Sequence, residues 1–152
     1  MTERNISHAT FTVERTYDAA PARVFAAWAD QKSKARWFVG PDGWDRSDHQ
    51  LDFRVGGSES VSGGPPGGTV HRYNAIIYDI VPDNRIISTY EMHLDDVRIS
   101  VSLATVEIKP AGKGAKLVYT EQGAFLDGYD DAGAREEGTK QLLDQLGAFL
   151  IS

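Results

Sequence analysis

Glu121 has the clearest claim to chemistry in this sequence. It shares strand parity with Leu117 and Tyr119, so it is the acidic side chain expected to approach the interior. A carboxyl placed there either rises in pKa or takes donors such as tyrosine hydroxyls, and either setting suits a general base. His71 and His93 fall on predicted strands and could face inward as an acid or base, with His93 the second catalytic candidate. The simpler alternative for both is a histidine on the solvent face. Asp52 and Arg54 share one strand face opposite Leu51, Phe53 and Val55, which predicts an outward ion pair rather than catalysis.

Other chemistries lack their residues. The histidines at 8, 49, 71 and 93 have no local metal-ligand spacing, so no metal is expected. The chain has no cysteine, which removes disulfides, thiolate nucleophiles and cysteine-ligated zinc. Gly56-Gly57 and the 63–68 run lack the Lys-Ser/Thr or helix start that phosphate binding needs. No cofactor is expected. What remains is apolar recognition: Trp28, Trp37, Phe38, Phe53, Tyr78, Tyr90, Met92, Tyr119 and Phe149 are the large side chains expected around an interior space. The same pattern describes a filled core. The tyrosines tip the reading slightly towards a lined cavity, where a buried hydroxyl finds water or a ligand.

The elements that must carry these residues follow from periodicity. Residues 8–17 alternate as a strand near an edge, and Pro21 opens a helix over 21–29. Asp30 caps a second helix over 31–37, and loop chemistry fills 39–48 around Trp44. Strand patterns recur at 49–55, 69–81, 85–94, 97–109 and 115–122, with 62–68 as a flexible turn. In 97–109 the apolar parity changes from Val97, Ile99, Val101 and Leu103 to Ala104, Val106 and Ile108, which predicts a bulge near 103–104. Leu142, Leu143, Leu146, Phe149 and Leu150 make the stripe of an amphipathic helix over 131–150, and Asp127, Asp130 and Asp131 suit its N-terminus. The class is α+β: a curved antiparallel sheet of about six or seven strands wrapped around a long C-terminal helix, with two short helices after the first strand.

Length and charge set the outer bounds. The 152 residues are expected to form one domain spanning 1–152, large enough for a sizeable core. Sixteen basic against 22 acidic residues give a formal charge of -6, which argues against nucleic acid or an anionic membrane as partner. With no apolar leader and no apolar run of spanning length, a cytoplasmic location is the expectation.

Three blocks, in order, carry a family resemblance. They are Tyr17 to Trp28 with its Ala-Pro opening, Arg36-Trp37-Phe38-Val39-Gly40-Pro41 followed by Trp44, and Asp52-x-Arg54-x-Gly56-Gly57. The pattern resembles the Aha1 C-terminal-domain-like (AHSA1-like) branch of the START-like, SRPBCC or Bet v 1-like superfamily over almost the whole chain. That resemblance implies a helix-grip fold whose bent sheet and last helix enclose an elongated apolar cavity. Two departures bear on its shape: relatives often open the last helix with Gly-Trp where this chain has Gly138-Thr139, and residues 58–68 are rich in Gly, Ser and Pro.

The functional expectation is binding or sequestration of a small hydrophobic or aromatic molecule between sheet and helix. An alternative is an enzyme on the same scaffold, a cyclase, dehydratase or hydrolase acting on a hydrophobic substrate. A third is an Hsp90-type co-chaperone or other protein-interaction role. Association of two copies is compatible with the sequence.

Overall fold

The computed structural model describes residues 3–152. An edge strand, β1 (Ile6–Tyr17), leads into two short helices, α1 (Pro21–Ala29) and α2 (Gln31–Trp37). Two minimal strands, β2 (Asp45–Arg46) and β3 (Gln50–Leu51), precede β4 (Ser58–Gly64), β5 (His71–Val81), β6 (Arg85–Leu94), β7 (Val97–Ala111) and β8 (Gly114–Leu126). The long helix α3 (Ala132–Leu150) ends the chain. The sheet is antiparallel in the order β1-β8-β7-β6-β5-β4-β2, with β3 also paired to β4, and it curves around α3.

Local chemistry explains the helix ends. Pro21 sits in the first turn of α1, where its missing N–H costs nothing. The Asp30 carboxylate accepts from the Ser33 backbone N–H at 3.0 Å and starts α2. Asp131 accepts from the Ala134 N–H at 2.8 Å and starts α3. Thr139, Leu143, Leu146 and Leu150 form the buried stripe of α3. Tyr17 donates to the Leu143 carbonyl at 2.7 Å, and its ring lies against Gly147, where a Cβ would crowd it. These contacts fix α3 to β1, α1 and α2. The central strands β6 and β7 reach the helix near its start, through Arg135 to Tyr90 and Ser100, and past that point a gap opens between sheet and helix.

The structure moves one expected feature. The bulge in β7 is near Ile99, where pairing steps from Met92–Ser100 to His93–Arg98 and Ile99 and Ser100 are both buried. It is not near 103–104. Ser100 and Ser102 continue inward parity into Ala104, Val106 and Ile108, while Val101 and Leu103 face outward. The apparent switch arose from reading two inward serines as solvent positions. The predicted strand over 49–55 is also shorter, because pairing stops at Leu51 and the chain turns over 54–57. There Gly56 adopts φ 84° and any side chain on Gly57 would strike the Asp52 carbonyl.

Candidate functional site

The gap between α3, the α2–β2 segment and the concave face of the sheet is a cavity of about 980 Å³. Trp28, Trp37, Phe38, Phe53, Tyr90, Met92 and Tyr119 line it, as do Tyr73 and Ser88. Their rings form a connected aromatic wall: Trp28 meets Trp37 edge-on at 4.8 Å, Phe38 meets Tyr73 at 5.0 Å, and Tyr73 meets Tyr90 at 4.9 Å. Trp44 and His71, 4.7 Å apart, stand at the mouth, where Trp44 also covers Gly40.

Two expected lining residues are elsewhere. Tyr78 is 58% exposed on the outer face. Pairing of β5 with β6 skips at Tyr78, so the inward parity of Tyr73, Ala75 and Ile77 passes to Ile80 beyond it. Phe149 is half-buried beyond the chamber, with the guanidinium groups of Arg23 and Arg36 each 5.1 Å from its ring. His93 is corrected as well. It has the opposite parity to Tyr90 and Met92, does not line the chamber, and keeps a buried Nδ1 without a partner. Asp52 and Arg54 form the expected exposed ion pair, at 2.8 Å.

Glu121 is completely buried behind the wall. Its Oε1 accepts from the hydroxyls of Tyr90 and Tyr119 at 2.8 Å each. Its Oε2 accepts from Tyr90 at 2.8 Å and Ser102 at 2.9 Å, with Arg135 Nη1 3.4 Å away. Every contact is from a donor, the coordination of a carboxylate. Arg135, reaching in from α3, also donates to Tyr90 at 2.9 Å, and to Ser100 and Asp130 at 2.8 Å each. Burial works against the Arg135 charge, but Tyr90, Glu121 and Asp130 outweigh it and hold the guanidinium protonated. Burial, with the nearby carboxylates, pushes the Tyr73, Tyr90 and Tyr119 phenols far up. They therefore act as neutral hydroxyls, not phenolate bases. Glu121 does not face the chamber; its oxygens orient the hydroxyls that do.

A second buried cluster lies nearer α2. Lys34 Nζ donates to Glu59 Oε1 at 2.8 Å and stands 4.6 Å from the Phe38 ring centre and 5.1 Å from that of Trp28. His49 Nε2 is 2.6 Å from Glu59 Oε2, while its Nδ1 faces the Gln31 amide nitrogen at 3.3 Å. The amide donor makes Nδ1 the acceptor and Nε2 the donor. Burial raises the Glu59 pKa, yet Lys34 and His49 more than cancel that and leave it below the ordinary 4.5. The folded value is thus below the unfolded one. This contribution to stability is complete above the unfolded carboxylate pKa and is lost as pH falls through the folded value. Urea midpoints are accordingly expected to drop as pH falls below the ordinary carboxylate value of 4.5, and Glu59→Gln to flatten that drop; an unchanged pH profile in the variant would contradict the coupling.

Sequence reasoning missed Lys34, Glu59, His49 and Arg135. Lysine and arginine on short or polar helix segments read as solvated, and nothing local marks their distant partners. Ser100 and Ser102 did leave a signal, the even parity they share with Ala104, Val106 and Ile108.

The family described as "Activator of Hsp90 ATPase homolog 1-like protein" matches residues 18–150. Among solved structures, an uncharacterised protein from Rhizobium leguminosarum is 47% identical with a TM-score of 0.93, covering 98% of each chain. Mll3558 from Rhizobium loti is 48% identical with a TM-score of 0.88, over 95% of this chain and 99% of its own. CV1439 from Chromobacterium violaceum is 26% identical with a TM-score of 0.75, over 93% and 96%. No curated protein matches the chain. Among the described residues no helix is long and apolar enough to cross a membrane.

Proposed function

The chain belongs to the Activator of Hsp90 ATPase homolog 1-like family, and from that premise we infer that it binds a small apolar or aromatic molecule in the chamber between sheet and α3. The observation that carries this reading is the chamber itself: about 980 Å³, walled by aromatic rings and ending in oriented tyrosine hydroxyls. Ligand sites combine that kind of volume and apolar lining with a few placed polar groups. A core selected only for stability would close such a gap, because unfilled apolar space is costly. Gly138 adds to the room, since beyond its own helix backbone and chain neighbours nothing lies within 4 Å of where a side chain there would begin.

Binding of the neutral dye Nile red, followed by its emission, tests the reading. One equivalent is expected to bind with enhanced emission. Ser88→Phe, which directs a ring into the chamber from β6, is expected to lower affinity at least about tenfold while the circular dichroism spectrum stays native. Binding that Ser88→Phe leaves untouched would place the dye elsewhere and count against the chamber.

A further inference from the structure

The charged groups around the chamber point to the kind of molecule it accepts, on the reading that it is a ligand site. In its inner half the cations are Lys34 and Arg135, and both are already answered by the protein. Lys34 has Glu59, and its remaining face is covered by the rings of Trp28 and Phe38. Arg135 has Glu121 and Asp130, and spends further N–H groups on Tyr90 and Ser100. Both cations of the inner half are thus held by the protein's own carboxylates, and the carboxylates that line it are spent on them in turn. His49, the other partner of Glu59, does not line the chamber. At the mouth, Arg36 and Arg46 share the lining with Asp42 and Asp45, in reach of solvent that screens them.

An anionic group entering this space would lose its hydration and meet no free cation, the costly form of charge burial. Hydrogen bonding points the same way. Tyr90 and Tyr119 commit their protons to Glu121, so towards a ligand they offer oxygen lone pairs. Tyr90 already accepts from Arg135, which leaves the Tyr119 oxygen as the freer acceptor. We propose that the chamber selects uncharged aromatic molecules bearing a hydroxyl or N–H donor at their inner end, and rejects aromatic and fatty carboxylates. The Glu121 carboxylate is the positioning group for this choice: it fixes the direction of both tyrosine hydroxyls without touching the ligand.

Isothermal titration at neutral pH with four probes of one size tests this: 2-naphthol, 2-methoxynaphthalene, 2-naphthoate and 2-naphthylmethylammonium. The expected order places 2-naphthol first, at least about tenfold tighter than 2-naphthoate and severalfold tighter than the methoxy analogue, which has no donor. Glu59→Gln releases Lys34 from its counter-ion and is expected to shift the ratio of affinities towards 2-naphthoate relative to 2-naphthol. The wild-type order stands as a test even if that variant folds poorly. Naphthoate binding as tightly as naphthol would overturn the proposal, and so would a preference for the ammonium probe. In either case the chamber would remain a ligand site of different selectivity. Failure of all four probes together with Nile red would remove the site itself, and this proposal with it.

Discussion

Glu121→Ala is expected to destabilise the protein by about 3–5 kcal/mol, read as a fall in the urea midpoint at neutral pH. The magnitude comes from what the carboxylate leaves behind. Tyr90, Tyr119 and Ser102 lose the acceptor for their hydroxyl protons, and Arg135 loses one of its two carboxylates. Each stranded donor costs roughly 1–3 kcal/mol unless water enters, and the chamber alongside admits some water. That relief keeps the total below the sum of the separate losses. Glu121→Gln preserves shape but turns an amide NH2 towards groups that also donate, so an intermediate loss is expected. As the anion organising the hydroxyl cluster, Glu121 must make both variants less stable, in that order. If Glu121→Ala fell within about 1 kcal/mol of wild type, the cluster would not be the organising feature assigned to it.

How much of this was legible beforehand depended on whether the information was local. Alternation in β6 placed Ile86, Ser88, Tyr90 and Met92 on the chamber side, and the parity of Leu117, Tyr119 and Glu121 brought the buried carboxylate inward. Desolvation alone left a buried Glu121 two courses, a raised pKa or donors such as tyrosine hydroxyls, and the structure supplies the donors. Strand irregularities broke the same logic. The skip at Tyr78 reversed the parity of the end of β5, and the bulge near Ile99 disguised Ser100 and Ser102 as exposed. A bulge is one residue of extra chain, and composition does not announce it. The ion clusters were harder still. Lys34 meets Glu59 across 25 residues, and Arg135 meets Ser100 across 35, so only the folded topology brings them together. The chamber itself is a difference between volumes: side chains that line a space and side chains that fill one have the same periodicity.

Trp37→Ala is the second substitution expected to have a large effect, again about 3–5 kcal/mol. The indole is 1% exposed and joins three elements at the chamber wall. Its Nε1 donates to the Ala27 carbonyl of α1 at 2.9 Å, its ring packs edge-on against Trp28 and Phe38, and its own carbonyl accepts from Gln145 of α3 at 2.7 Å. Truncation removes the rings' contacts and the donor, whereas the Gln145 bond, being to backbone, survives. Trp37→Phe keeps an aromatic edge at the same place and is expected to cost less, about 1–2 kcal/mol, much of it the unpaired Ala27 carbonyl. Because the lost volume adjoins existing empty space, it should merge with the chamber rather than collapse. Nile red binding by Trp37→Ala should therefore persist in urea-free buffer despite the lower midpoint. A wall residue of a filled core would behave otherwise: its removal would weaken folding and create dye binding that the wild type lacks. The sign of the change in dye affinity thus tells a chamber already open in the native protein from one that mutation has made.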